Sequence, residues 1–149
     1  DAIDDSPEGS VIVIDIGGEA NVAVWGGLMA AGGAANKLAG AVLDGGVRDV
    51  MEIRRDYGFQ IFARSISPGT TLGRFKTVSA NEPVVCGGIT VNPGDLIVAD
   101  IDGVLVVPRK HAEAVLEMAR EIDRREAEQA RLIMESGSLR EGLAKYGRI

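Results

Sequence analysis

Short apolar runs alternate with helical patterns in the first half of the chain. Residues 10–16 and 41–43 are largely apolar, as strands buried on both faces are, and residues 59–64 alternate like a half-buried strand. Between these runs, residues 28–40 and 49–57 fit helices. The strand–helix–strand–helix–strand order predicts parallel pairing.

The second half of the chain has the pattern of an antiparallel sheet. Short apolar runs occupy residues 75–79, 84–85, 96–100 and 104–107, and Asn-Pro-Gly-Asp and Asp-Gly turns separate the later ones. Together the two halves predict an α/β fold with a mixed sheet, and the length of 149 residues suits a single domain over residues 1–149.

The longest predicted helix covers residues 110–136. Its apolar stripe begins at Val115 and resumes at Ile133, and residues 123–129 between them are polar nearly all round. A helix of that kind either projects into solvent or packs on a neighbouring subunit. A short helix is expected over residues 138–146.

One segment of the chain is repeated without a gap. EGSVIVIDIGG at residues 8–18 resembles PGDLIVADIDG at residues 93–103, with Asp15 and Asp100 in the same place. A duplicated strand–turn unit would put the two strands in related positions of one sheet. The alternative is chance similarity between two buried strands.

Composition excludes several classes of function. The net charge is −6 and no Lys/Arg cluster stands clear of acidic neighbours, so nucleic acid is a poor primary ligand. No apolar run approaches the ~20 residues that a membrane helix needs. Cys86 is the only cysteine, which fits a reducing, cytoplasmic setting.

The chain begins on Asp1 without a signal-peptide pattern, and we expect a processed or truncated end there.

The chemistry concentrates in WGGLMAAGGAANKLAGAVLDGGVRD, residues 25–49. Gly26-Gly27 precedes a predicted helix, whose free N–H groups can hold an anion. Asp44-Gly45-Gly46 is predicted to turn the chain and to place Arg48 beside Asp49. An anion cradle, a planar cation and a carboxylate would bind a small carboxylate together with a metal ion.

Each of these residues also has a simpler interpretation. The glycine pair is a weak signal on its own, and Arg48 alone would form a surface ion pair of little energetic value. Asp49-Val50-Met51-Glu52 matches a capping box, with Asp49 as the N-cap and Glu52 three residues later. The capping and metal-binding roles of Asp49 are compatible, because a carboxylate has two oxygens.

Three separated motifs occur in an order that resembles one known family. They are the Trp-Gly-Gly turn, LDGGVRDV and PGDLIVADIDGVLVVP. The family comprises the class II pyruvate aldolases acting on 4-hydroxy-4-methyl-2-oxoglutarate and 4-carboxy-4-hydroxy-2-oxoadipate, and the RraA-like regulators of ribonuclease E activity. The resemblance implies a β/β/α swivelling-type sandwich with a long C-terminal helix, assembled as a homotrimer or hexamer. Family members usually carry an N-terminal helical segment, and the resemblance leads us to expect that residues 1–149 lack it.

The resemblance also assigns roles to this chain's residues. The substrate would be an oxo acid cleaved to pyruvate by a retro-aldol reaction, with oxaloacetate decarboxylation as a side activity. The arginine matching Arg48 binds the carboxylate and keto oxygens, and the aspartate matching Asp49 ligates Mg²⁺ or Mn²⁺. The backbone amides implied to bind the pyruvate carboxylate belong to Gly26, Gly27, Leu28 and Met29.

One position departs from the family pattern. The catalytic members have an acidic residue twenty-one positions before the arginine, and this chain has Gly27 there. Asp44, or Glu126 from a neighbour's long helix, could take over its role. The alternative function is a non-catalytic, protein-binding regulator that keeps the fold without the chemistry.

Overall fold

The computed structural model describes residues 2–148, which fall into two compact units that meet in sequence at Pro108 and Arg109. The secondary structure of the first unit follows in chain order: α1 (Ala2–Asp5), β1 (Val11–Asp15), β2 (Ala23–Trp25), α2 (Gly27–Ala35), β3 (Gly40–Val47), α3 (Val50–Glu52), a π-helical turn (Ile53–Tyr57), β4 (Ile61–Ile66), β5 (Val84–Cys86), β6 (Ile89–Val91), β7 (Leu96–Asp100) and β8 (Gly103–Val107). The second unit contains a 3₁₀ turn (Arg109–His111), α4 (Ala112–Ser136) and α5 (Leu139–Tyr146).

Strand β3 is the centre of a four-stranded parallel sheet. Strand β1 pairs with residues 40–44 of β3, β2 pairs with residues 46–47, and β4 pairs with residues 41–47. Every residue of β3 is buried, as expected for a parallel strand with both faces covered. The predicted parallel pairing in the first half of the chain is therefore confirmed.

The prediction that Asp44-Gly45-Gly46 turns the chain is wrong, because these residues lie inside β3. Here the glycines permit close packing. A Cβ at Gly45 would lie 2.5 Å from Cδ1 of Ile16, and one at Gly46 would lie 2.9 Å from the carbonyl oxygen of Val22. Strand β3 thus pairs first with β1 and then with β2 while it stays in one sheet. Its register with β4 shifts between Leu43 and Gly46.

Helix α2 is shorter than predicted, and its two central glycines differ in what surrounds them. A Cβ at Gly33 would lie 2.8 Å from two ring carbons of Phe59, whose ring stacks on Trp25 with 5.7 Å between the centroids. A Cβ at Gly32 would meet only Cγ2 of Ile3, at 3.4 Å. Close packing therefore requires glycine at position 33 and not at position 32.

The helix predicted over residues 49–57 begins at Val50 and continues as a π-helical turn. Gly58 ends it in the left-handed conformation, with φ = 59°, which confirms the predicted stop. The strand predicted over residues 75–79 is absent from the described chain. Strand β5 pairs with β6, an antiparallel partner that the apolar pattern did not reveal.

The repeated segment does not place its two strands in one sheet. Strand β1 belongs to the parallel sheet, whereas β7 pairs with β8 in a separate antiparallel ribbon. The likeness is one of local turns, since the Asp15 carboxylate accepts from the Gly17 amide at 2.7 Å and the Asp100 carboxylate accepts from the Asp102 amide at 2.8 Å. The expectation of related positions in one sheet is therefore wrong.

The second unit is a helical hairpin. Gly137 adopts φ = 68° and ends α4, and the Ser138 hydroxyl caps α5 by accepting from the Glu141 amide. In the polar middle of α4, Arg124 pairs with Glu121 at 2.8 Å and with Glu128 at 2.6 Å. The hydrogen bond from Arg124 lowers the pKa of Glu121 below its ordinary value.

These elements confirm the predicted α/β class with a long C-terminal helix, the parallel and antiparallel strands lying in separate sheets. Between residues 2 and 148, no helix combines the length and apolar character that crossing a membrane requires.

Candidate functional site

The pairing of β2 with β3 brings together the two halves of the stretch that carries the candidate residues. Trp25 of β2 is in register with Val47 of β3, and the Arg48 amide donates to the Trp25 carbonyl at 3.0 Å. Because the strands are parallel, the start of α2 and the Arg48-Asp49 pair both follow carboxyl ends at the same edge of the sheet. That edge is where open α/β sheets bind ligands.

A hydrogen bond joins the two parts of the site. The Gly27 amide donates to Oδ2 of Asp49 at 3.0 Å, and Nε of Arg48 lies 3.6 Å from the same oxygen. The negative carboxylate thus lies at the N-terminal end of α2, where the helix dipole favours it. The structure therefore brings together the residues that the sequence had singled out as a cation, a carboxylate and a helix start.

The Asp49 side chain does not cap its own helix. The residue has φ = 60° and ψ = 30°, and its carbonyl accepts from the Ile53 amide while its carboxylate makes no cap hydrogen bond. An N-cap needs extended backbone, so this left-handed conformation rules out the predicted capping box. Such a conformation costs a non-glycine residue about 1–3 kcal/mol. This cost in folding free energy is consistent with a residue whose carboxylate is needed at the site.

The glycine pair lets side chains approach the start of α2, and it does not form a turn. Gly26 is extended, with φ = −154°, and a Cβ there would lie 2.9 Å from Oδ2 of Asp49 and 3.0 Å from Nε of Arg48. Both glycines are buried. The interpretation of Gly26-Gly27 as a turn is therefore corrected to one of close approach.

Fewer backbone amides are free to bind an anion than the four that the resemblance implies. The Gly27 amide is already bound by Asp49. The amides of Leu28 and Met29 belong to the first turn of α2, where N–H groups have no acceptor within the helix. The Leu28 side chain is 89% exposed, so this helix start is open to solvent.

Asp44 does not replace the acid that the family has at position 27. Its carboxylate is buried and forms an ion pair with Nε of Arg64, and it also accepts from the Gly87 amide at 3.2 Å. These contacts hold the turn between β5 and β6 against the parallel sheet. The role suggested for Glu126 of a neighbouring subunit stays a prediction.

Glu52 lies at the site, although the sequence pattern predicted only a capping role for it. A Cβ at Gly27 would lie 2.5 Å from Oε1 and 2.9 Å from Cδ of Glu52. The Glu52 carboxylate therefore occupies the space beside the Gly27 backbone that a side chain at position 27 would need. The available signal was its spacing from Asp49, since residues three apart lie on the same side of a helical turn.

Asp49 fits a hard divalent cation better than a soft one. In the part of the chain that is described, its Oδ1 has no hydrogen-bond partner, so it can serve as a ligand. Residues 2–148 contain no group of three or more His, Cys, Asp or Glu side chains placed to hold a metal. A cation bound here would keep several waters, as Mg²⁺ does, and a closed zinc site is not formed.

A family model described as RraA-like, Aldolase/RraA, matches residues 1–106 of the chain. The chain belongs to the RraA-like family. A relative from Halalkalibacterium halodurans, named "Putative 4-hydroxy-4-methyl-2-oxoglutarate aldolase", is 38% identical over 122 residues, which is 80% of this chain. The chain spans 56% of that relative and 18% of another curated relative, so it corresponds to only part of their lengths.

Solved structures of the family share the fold. An uncharacterised protein from Pseudomonas syringae is 33% identical with a TM-score of 0.89, over 94% of this chain and 70% of its own. The RNA-processing inhibitor RraA from Thermus thermophilus is 30% identical with a TM-score of 0.63, over 71% and 63% of the two chains. The family resemblance inferred from the sequence is therefore confirmed, and the family's members carry both aldolase and inhibitor names.

Proposed function

We propose that this RraA-like protein is a divalent-metal-dependent lyase that cleaves a 4-hydroxy-2-oxo acid to pyruvate. The observation that carries the proposal is the hydrogen bond from the Gly27 amide to Asp49, which joins the helix start to the Arg48-Asp49 pair. A guanidinium, a carboxylate with an unpaired oxygen and free helix N–H groups are the parts that a 2-oxo acid and a hard cation need.

Each residue has a defined task in this reaction. The Arg48 guanidinium binds the substrate carboxylate and keto oxygen in a fork, and the Leu28 and Met29 amides bind the carboxylate at the start of α2. Asp49 would hold Mg²⁺ or Mn²⁺, which supplies Lewis-acid stabilisation of developing negative charge when bound.

The bond changes balance without any further reactant. The C4 hydroxyl of the substrate loses its proton, and C4 becomes the carbonyl carbon of the second product as the C3–C4 bond breaks. The electron pair of the broken bond forms the enolate of pyruvate. The enolate then takes up a proton at C3. Oxaloacetate loses CO₂ to give the same enolate, so decarboxylation would be a side activity of the same groups.

Oligomerisation would complete the site. The side chains of Arg48 and Asp49 are 45% and 41% exposed in the single chain, so the substrate end lies open to water. Excluding that water strengthens the electrostatic contacts on which the reaction depends. We therefore propose a cytoplasmic homotrimer or hexamer, with residues 1–149 acting as one functional domain.

Pyruvate release tests the proposal directly. Purified protein is incubated with a panel of 4-hydroxy-2-oxo acids and with oxaloacetate, in Mg²⁺, Mn²⁺ or chelator, and pyruvate is measured by coupled NADH oxidation. We expect metal-dependent release that the Asp49→Asn variant loses. Absence of pyruvate from every substrate in both metals would contradict the lyase.

The second candidate is a non-catalytic regulator of an RNA-processing enzyme. The observation that favours it is Gly27, which removes the acidic residue expected at this position of a catalytic member. The name of the Thermus thermophilus structural relative supports the same direction. Inhibition of purified ribonuclease E by this chain, unchanged in the Arg48→Ala variant, would identify a surface function independent of the site.

A further inference from the structure

The proposed reaction needs a group that removes a proton from the C4 hydroxyl and a group that supplies one to C3. The residues assigned so far do not provide either. Arg48 cannot accept a proton, because a guanidinium remains protonated in proteins. Asp49 is committed on one oxygen to the Gly27 amide and would bind the cation with the other.

We propose that Glu52 is the catalytic residue that transfers this proton, an assignment that rests on the proposed function. Its carboxylate lies against the Gly27 backbone, just as Asp49 and Arg48 lie against Gly26. Two carboxylates three residues apart, on one side of a single turn, thus face two consecutive glycines at the start of α2. This arrangement places a second carboxylate beside the position that Arg48 and Asp49 define.

The surroundings of Glu52 leave its carboxylate available. It is half-buried, and within residues 2–148 neither of its oxygens accepts a hydrogen bond. Arg55, a cation on the same segment, donates its side-chain hydrogen bonds to Asp56, with Nε 2.5 Å from Oδ1, and interacts with Glu52 only through its charge. A general base must be free to accept a proton and must lie within reach of the substrate. Glu52 meets the first requirement, because neither of its oxygens accepts a hydrogen bond within residues 2–148.

The same contact makes the Glu52 carboxylate and a side chain at position 27 alternatives for one space. Any side chain there would have to displace the Glu52 carboxylate, which lies 2.5 Å from the position of a Cβ. The acid that the family pattern has at position 27 is thus supplied from position 52. The Glu52 carboxylate reaches the space beside Gly27 from α3, whereas a side chain at position 27 would belong to α2.

A purely structural role for Glu52 has a different signature. A carboxylate near a helix N-terminus stabilises that helix through its dipole, typically by 0.3–1 kcal/mol. Removing such a charge would lower stability and leave proton transfer in the folded protein unchanged. Proton transfer must therefore be measured separately from stability.

The test uses exchange of the pyruvate methyl protons with D₂O, followed by NMR in Mg²⁺, which does not depend on knowing the full substrate. We expect Glu52→Gln to slow exchange by ~10²–10⁴-fold while oxalate binding, measured by calorimetry, stays within about threefold of wild type. Glu8→Gln is the matched control, because Glu8 pairs with Lys37 beyond the far end of α2. It should exchange like wild type.

A relocation experiment tests the geometry. Gly27→Asp combined with Glu52→Ala vacates that space and returns a carboxylate to it, and we expect it to recover at least tenfold of the exchange rate lost in Glu52→Ala. Gly27→Ala should slow exchange in the wild type and cause no further loss in a Glu52→Ala background, because its Cβ acts by moving the Glu52 carboxylate aside. Additive effects of these two changes would overturn the placement of Glu52.

The outcomes separate the two proposals. If the wild type exchanges protons and Glu52→Gln exchanges equally fast, the role of Glu52 is overturned while the lyase stands. If the wild type neither exchanges protons nor binds oxalate with metal, the proposed function fails and the assignment of Glu52 fails with it. Loss of oxalate binding in Glu52→Gln would show a binding role and overturn proton transfer.

Discussion

Helix α2 positions the start of the candidate site, and a methyl group added at either of two adjacent glycines tests how it is packed. Alanine favours a helix interior by about 1 kcal/mol over glycine. At Gly32 the new Cβ meets only Ile3, at an ordinary contact distance of 3.4 Å, so Gly32→Ala should raise the free energy of unfolding by about 0.5–1 kcal/mol. The helix gains rigidity there without losing a contact.

At Gly33 the same change has the opposite sign. The Cβ would lie 2.8 Å from Cε2 and Cζ of Phe59, which stacks on Trp25, a side chain that is 1% exposed. Overpacking of this kind costs about 1–3 kcal/mol. After the helix-propensity gain of about 1 kcal/mol is subtracted, Gly33→Ala should lower the free energy of unfolding by up to about 2 kcal/mol.

Urea unfolding followed by the fluorescence of Trp25, the single tryptophan, measures both variants with one probe. The expected difference between the two variants is about 2 kcal/mol, well outside the error of the measurement. Equal stabilities, or a Gly33→Ala variant more stable than Gly32→Ala, would refute the packing of α2 on Phe59. Circular dichroism of both variants controls for a change of fold.

The remaining predictions concern the site and its surroundings. Asp49→Asn keeps an oxygen for the Gly27 amide and tolerates the left-handed backbone, so it should fold normally and lose Mg²⁺ binding in calorimetry; full Mg²⁺ affinity would exclude Asp49 as a ligand. Arg48→Lys loses the bidentate fork and should weaken oxalate binding roughly 10–100-fold, and an unchanged affinity would count against it. Burial, together with the nearby Asp44 charge, raises the pKa of the Cys86 thiol, so less thiolate forms at a given pH; its alkylation, followed by mass spectrometry, should need a higher pH in the folded than in the urea-unfolded chain, and coincident profiles would argue against this burial. Sedimentation should give a trimer or a multiple of it, whereas a monomer at micromolar concentration would count against the proposed assembly.

The apolar pattern was sufficient where it reflects burial of a single element. Strand β7 coincides with the predicted residues 96–100, and Gly58 ends its helix as expected, because each depends on a local period or a local backbone preference. Strand β3 is an element that a local pattern does not reveal. Gly45 and Gly46 carry the composition of a turn, and only the side chain of Ile16 and the carbonyl of Val22 reveal that they are crowded inside a sheet.

In the candidate site, too, the local features could be predicted from the sequence and the long-range contacts could not. The proximity of Arg48 and Asp49 follows from adjacency in sequence, and the helix after Gly26 follows from local pattern. The hydrogen bond from Gly27 to Asp49 spans 22 residues and depends on the β2–β3 register, which no local pattern specifies. Glu52 was assigned to a capping box because the motif fits. In the structure Asp49 is left-handed, and both carboxylates lie beside the start of α2.

At Asp49, the left-handed residue, the change that would raise stability is also the change that would remove function. Glycine at position 49 would relieve about 1–3 kcal/mol of backbone strain, and a search for more stable variants would select it. The same change would remove the carboxylate that joins the two halves of the site. A thermostabilised version of this chain chosen by melting temperature alone would thus tend to be an inert one. Retention of a strained aspartate at position 49 would mark relatives in which the site is still in use.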